Sequence, residues 1–238
     1  MFGEKEASKQ VLNDLSDDTL GFGGTDLRTV RDLLIRPKAV LEAWMAHGPM
    51  GGGAYSRPLK LYLALNAILM LICFLRGGFG YLLDALPPEL LTSVLEQSGK
   101  SRDAFVGDAD NWMSLVMVPL TASLLIVFTT PLFRWWDPED LKWRRGVRAS
   151  LAYLNAWTVL MLPFSWFMYG ASAVAMAFTV LFSLMGVVAF LRMGRGRWYK
   201  SYGPGVGKSL IVLLAMQIVG AIATCIVVAV GIFAGRFA

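Results

Sequence analysis

Five apolar runs, nearly free of ionisable side chains, occupy most of this chain. They are Leu61 to Leu75, Trp112 to Phe133, Leu151 to Tyr169, Ala171 to Leu191 and Leu210 to Ala234. A helix needs about 20 apolar residues to cross about 30 Å of hydrocarbon. The first run is short, and Leu59 with the stem of Lys60 extends it by snorkelling. The expected fold is therefore all-α: a five-transmembrane-helix bundle preceded by an amphipathic helix lying in the interface. Only Gly170 separates the third run from the fourth, so a tight hairpin is expected there.

Composition points the same way. Of 238 residues, 56% are hydrophobic and 16% charged, with a mean hydropathy of +0.55. A soluble domain averages about 45–50% apolar and about 25% charged residues. The net charge of +5 raises nucleic acid as a partner. However, the cations gather at the ends of apolar runs, where they select topology, so no nucleic acid is expected. The two cysteines, Cys73 and Cys225, lie inside expected spans, and neither a disulfide framework nor a zinc pattern is present. The single histidine, His47, cannot supply paired haem ligands. No cofactor is expected, and the first span is expected to act as an uncleaved insertion signal.

Charge alternates between connections. Arg28, Arg31, Arg36, Lys38, Arg57 and Lys60 precede the first run, whereas the segment from Asp84 to Asp110 is acidic. Arg134, Lys142, Arg144, Arg145 and Arg148 follow the second run, and Arg192, Arg195, Arg197, Lys200 and Lys208 follow the fourth. Basic residues collect on the cytoplasmic side. This places the N-terminus inside and the C-terminus outside or in the periplasm, in a bacterial inner membrane.

Outside the spans, residues 1–26 form a polar tail expected to be poorly ordered. Residues 27–60 form an amphipathic segment and a Gly-rich turn, and residues 61–238 the membrane domain. Val30, Leu33, Leu34, Val40, Leu41, Trp44 and Met45 recur at helical spacing, with Arg28, Arg31, Arg36 and Lys38 on the other faces. Such a helix suits a headgroup layer, or alternatively packs on the ends of the spans. Pro37 divides it in two. Pro87 and Pro88 start a further short helix in the acidic connection.

Few motifs carry chemistry. Gly203 to Ser209 resembles a phosphate loop, but Tyr202 stands where the first glycine is needed, so a flexible turn is expected. Asp108, Asp110 and Asn111 lack the other ligands of a calcium loop. No catalytic residues and no metal site are expected. Polar residues inside spans are the usual markers of function. Here Asn66, Asn155 and Gln217 form either helix-to-helix hydrogen bonds or an intramembrane polar site. Pro119 and Pro163 interrupt the second and third spans beside Thr121 and Ser165. Gly231 and Gly235 make a GxxxG pair suited to close helix packing, within the chain or between two copies. Tyr62, Trp112, Trp135, Trp136, Trp198 and Tyr199 read as interfacial anchors.

The stretch Thr29 to Pro37, followed by Tyr55 and Arg57 to Tyr62, resembles a family of bacterial membrane proteins that share a T-x-R-D-L-L-x-x-P block before the first span. That family often carries a zinc ribbon, whose cysteines this chain lacks. The five-span plan is also similar to the Yip family of membrane-trafficking proteins. The resemblance implies a non-catalytic protein acting through partners or lipid. The expected function is a non-enzymatic scaffold or accessory subunit that organises lipids or a membrane protein complex, with membrane lipids and either other membrane subunits or a second copy of itself as partners. Arg31, Arg36, Lys38, Arg144, Arg145, Arg195, Arg197 and Lys200 are its candidate anionic-lipid contacts. The alternative is a small-molecule or lipid translocator with a polar cavity near Asn66, Asn155 and Gln217.

Overall fold

The computed structural model describes residues 23–47, 54–139, 142–170 and 172–237. Most of the expected tail and the glycines of the turn after His47 lie outside the described residues. The helices are α1 (Gly24–Ile35), α2 (Pro37–His47), α3 (Pro58–Leu75), α4 (Pro88–Ser98), α5 (Arg102–Trp136), α6 (Trp143–Met161), α7 (Ala173–Gly194) and α8 (Tyr202–Phe237). Short 3-10 turns occupy Gly80–Ala85 and Leu162–Phe167. No strand occurs among the described residues.

Local sequence sets several helix ends. Pro58 and Pro88 occupy first turns, where a missing N–H is harmless. The Ser101 and Ser172 hydroxyls accept from the amides of Ala104 and Ala175. Gly99 closes α4 in the left-handed conformation.

Four helices, α3, α5, α7 and α8, are long and apolar enough to cross a membrane. The third expected span takes a different form. Its run is divided between α6 and the 3-10 turn that contains Pro163, and α6 starts earlier, at Trp143, with Arg144, Arg145 and Arg148 in its opening turns. Every residue from Ala149 to Ala156 is buried, because α6 packs against α1, α2, α3, α5 and α7. A helix enclosed by protein needs no lipid-compatible outer face, so it keeps polar groups that bond to its neighbours. Asn155 Nδ2 donates to the Pro58 carbonyl at 2.9 Å, and Trp157 Nε1 to that of Phe182 at 2.8 Å. Ser150 and Thr129 share a short hydroxyl contact.

The N-terminal segment also departs from the interfacial expectation. It is two helices, α1 and α2, whose apolar face turns inward against α6 and α7. Leu33, Val40, Leu41, Trp44 and Met45 are buried. Burying a Val, Leu or Met side chain is worth about 1.5–3 kcal/mol, so protein contact outcompetes a wet headgroup layer for this face. Among the described residues of the segment, the large apolar side chains that remain exposed are Leu27, Leu34 and Ile35.

The T-x-R-D block is a clasp between α1 and the start of α3. The Thr29 hydroxyl donates to the Thr25 carbonyl and accepts the Ser56 amide at 2.9 Å. Asp32 accepts from Arg31, Arg36 and the Tyr55 hydroxyl, the last at 3.1 Å. The Arg36 guanidinium, with help from Arg31 and Tyr55, outweighs burial and pulls the Asp32 carboxyl down to about 2. Asp26 receives the Gly23 amide and Lys60 Nζ, at 2.8 and 3.1 Å. Burial raises its pKa, but the Ser56 hydroxyl, the Gly23 amide and Lys60 more than offset this and lower it. Both carboxylates thus stay ionised and hold the hairpin to α3.

α5 and α8, of 35 and 36 residues, make the most extensive helix contact. At about 1.5 Å per residue each exceeds about 50 Å, longer than the hydrocarbon layer. At the acidic end, Asp110 accepts the Phe79 amide at 2.6 Å and Arg102 pairs with Asp84 at 2.8 Å.

Candidate functional site

Where α1, α2 and the end of α7 meet, Arg36, Lys38, Arg192, Arg195 and Lys200 surround an open basin of about 620 Å³. Apolar Ile35, Val188 and Leu191 also line it. From Arg192 the exposed face of α7 continues through Val188, Leu184 and Val180 at four-residue spacing. The basin is therefore cationic at its rim and runs onto a helix stripe that is apolar and exposed.

The connection between α7 and α8 decides which cations reach the rim. Gly196, at φ +88°, adopts a conformation closed to most side chains, and its amide donates to the Tyr199 carbonyl at 2.8 Å. The tight turn sends Arg195 and Lys200 outward, while Trp198 and Tyr199 fold into the core. The Trp198 ring lies 4.4 Å from Phe133 and 5.3 Å from Phe190, centroid to centroid. Trp198, Tyr199 and Tyr62 are thus core residues and not the interfacial anchors expected, whereas Trp112 and Trp135 are exposed.

Gly203 to Ser209, expected as a flexible turn, instead forms the opening turns of α8. Lys208 Nζ is committed to the Trp198 carbonyl at 2.6 Å and faces the Trp136 ring.

The eight expected lipid contacts divide. Arg36, Lys38, Arg195 and Lys200 line the basin. Arg31 turns to Asp32, and Arg145 pairs with Glu139 at 3.6 Å. Arg144 is exposed on α6 and does not line the basin. Arg197 is not a lipid contact: it is largely buried in a fork to Asp137 with a second bond to Glu139. Burial opposes its charge, but Asp137 and Glu139 prevail and raise its pKa. Sequence reasoning missed Arg192. Its guanidinium accepts nothing and donates to the Leu34 and Ile35 carbonyls, the orphan acceptors at the end of α1. The available signal was its position four residues beyond Val188 on the same helix face.

Most of the basin's charge is uncompensated. Arg36 is neutralised by Asp32, and Lys38 approaches Glu42 only at 3.7 Å in solvent. Arg192, Arg195 and Lys200 make no ion pair among the described residues, Arg195 donating to the Tyr202 hydroxyl at 2.8 Å.

Asn66, Asn155 and Gln217 are not brought together. Asn66 donates to the Tyr62 carbonyl of its own helix, and Asn155 reaches Pro58 while its Oδ1 remains without a hydrogen-bond partner. Gln217 bridges α8 to Ser183 of α7 at 3.0 Å. Two apolar chambers lie inside the bundle, of about 170 and about 260 Å³. Asn66 lines the first and Gln217 the second, and Asn155 lines neither. Met117, Thr121, Leu125, Trp157, Met161 and Met168 line both.

Gly231 and Gly235 face α5, against Met113 and Phe105. Among the described residues no group of three His, Cys, Asp or Glu side chains is placed to hold a metal ion.

No protein-family model, no curated protein and no solved structure matches the chain. Four membrane-length apolar helices in an all-helical chain define its class, a multi-pass membrane protein.

Proposed function

We propose that this chain is a non-enzymatic membrane component that engages anionic phospholipid headgroups at the basic end of its bundle, acting as a scaffold or accessory subunit. The observation that carries this reading is the basin, where a cationic rim adjoins the exposed apolar stripe of α7. That pairing matches an amphiphile: phosphate against the guanidinium and ammonium groups, acyl chains along Val188, Leu184 and Val180. A near-surface Lys or Arg contributes about 1 kcal/mol to attraction for anionic lipid.

The test is binding to nanodiscs or vesicles of phosphatidylglycerol against phosphatidylcholine, followed by mass spectrometry of retained lipid. Wild-type protein is expected to retain phosphatidylglycerol preferentially. The combined variant Lys38→Gln, Arg195→Gln, Lys200→Gln removes three cations, so its preference should fall roughly a hundredfold. No preference in the wild type, or an unchanged preference in the variant, would sink the reading.

In the same proposal α6 is the fifth crossing. At 19 residues it is about 28 Å long, and neighbours shield it from lipid, so an apolar surface is not required of it. The basic end then faces the cytoplasm of a bacterial inner membrane, and the two chain ends lie in opposite compartments. Compartment-sensitive reporters fused to each end in turn check this. Equal signals from both ends would mean an even number of crossings.

A further inference from the structure

We infer that the two inner chambers form one slot that takes a single hydrocarbon chain of a bilayer lipid, admitted sideways between α7 and α8. The chambers adjoin, because six residues from α5, α6 and the segment after the Leu162–Phe167 turn line both, and three of these are methionines whose side chains can swing aside to join them. Joined in this way, the slot runs between α5 and α6, with the α3 side in the first chamber and the α7 and α8 side in the second. A proline stands near the shared wall on each side. Pro119 sits within α5 between the slot residues Met117 and Thr121 and leaves the Leu115 carbonyl without its helical donor, and Pro163 stands two residues beyond the end of α6.

The chemistry of the wall selects the occupant. No Asp, Glu, Lys, Arg or His lines either chamber. The Tyr62, Thr158 and Tyr169 hydroxyls all donate to main-chain carbonyls, those of Ala122, Leu154 and Leu69. Asn66 donates to its own helix, and Thr121 turns to the Met117 sulfur. A polar solute would give up water and find few free partners, whereas a hydrocarbon loses nothing. Four of the wall residues, Met117, Met161, Met168 and Met216, are methionines, whose flexible thioethers adapt to a chain without fixed shape.

Size agrees. A dry apolar cavity of about 150 Å³ already holds benzene, and each chamber is larger, at about 170 and about 260 Å³.

The mouth lies on the outer side of the second chamber, where Thr179 of α7 and Gln217 of α8 are exposed. There Gln217 Nε2 donates to Ser183 Oγ at 3.0 Å, a single hydrogen bond across the gap. The slot binds through the chain and not the headgroup, so it is separate from the basin and does not depend on anionic lipid.

Trp157 lines both chambers and reports on the slot. In vesicles of phosphatidylcholine brominated along its chains, the fluorescence component lost in Trp157→Phe should be strongly quenched. Thr121→Phe fills the shared wall and should abolish most of that quenching, leaving the other tryptophans quenched as before. Leu125→Trp is unsuited because it adds a fluorophore, so Met117→Phe serves as the second filling variant should Thr121→Phe not fold. An unquenched Trp157 component in the wild type overturns the inference. So does quenching that survives in a folded filled variant, since lipid outside the mouth would then be its source. Because the probe is zwitterionic, loss of the phosphatidylglycerol preference leaves this result untouched.

Discussion

Arg197→Ala should destabilise the protein more than any other single change of a charged residue discussed for this fold. The substitution leaves the Asp137 carboxylate, whose side chain is fully buried, without a cation and with only the Glu139 amide at 3.1 Å, because Arg197 supplies both a Nε contact and a Nη2 bond at 3.1 Å. Breaking a buried pair from one side costs about 3–5 kcal/mol, most of it the penalty of the stranded charge. Asp137→Ala is expected to cost less, since Arg197 keeps Glu139 at 3.1 Å and retains some contact with solvent. The double variant should be less damaged than Arg197→Ala alone, because no buried carboxylate remains. Thermal or denaturant unfolding of the purified protein in mild detergent measures all three. A loss below about 1 kcal/mol for Arg197→Ala would place the pair among exposed salt bridges. The same variant should weaken the anionic-lipid preference, since Arg197 anchors the turn that presents Arg195 and Lys200.

A second large effect is expected along the seam of α5 and α8. A Cβ at Gly235 would lie 2.7 Å from the Phe105 ring, which is completely buried and rigid, and one at Gly231 would lie 2.6 Å from Met113. Overpacking of this kind costs about 1–3 kcal/mol per site. Gly235→Leu belongs at the upper end, because a ring cannot bend away as the thioether of Met113 can. Gly220, in the same helix, has nothing within 4 Å of a built Cβ, so Gly220→Ala should cost nothing and gain about 0.4–1 kcal/mol from reduced backbone freedom of the unfolded chain. The comparison also separates the two readings of the glycine pair. An internal seam lowers unfolding temperature at every protein concentration, whereas a seam between copies shifts the monomer–dimer balance. Size-exclusion with light scattering beside the unfolding curves distinguishes them.

The long apolar helices were legible because lipid compatibility acts on each segment alone. Trp112 to Phe133 and Leu210 to Ala234 need no partner to be recognised, and they fall within α5 and α8. α6 was only half legible. Its surroundings, not its composition, make it central, and enclosure by other helices leaves no simple periodic mark. The clasp was visible as a block of residue types, Thr29, Arg31, Asp32 and Arg36, but not as a contact. Its partners Tyr55, Ser56 and Lys60 lie well along the chain, beyond a turn whose path no local pattern fixes. The basin was legible in part, for the same reason: sequence showed eight cations of similar appearance, and folding chose among them.

Sequence by itself determined that this chain belongs in a membrane, where its long apolar helices lie and where cations gather, because hydrocarbon solvates side chains one segment at a time. Only the tertiary structure decided that Arg197 turns inward while Arg192, Arg195 and Lys200 share a rim. It alone placed Trp198 in the core and set Met117, Thr121 and Trp157 around two inner chambers. Those outcomes depend on which surfaces meet across long stretches of chain, and the direction of a side chain at a turn such as Gly196 is settled by what the rest of the fold leaves for it to touch.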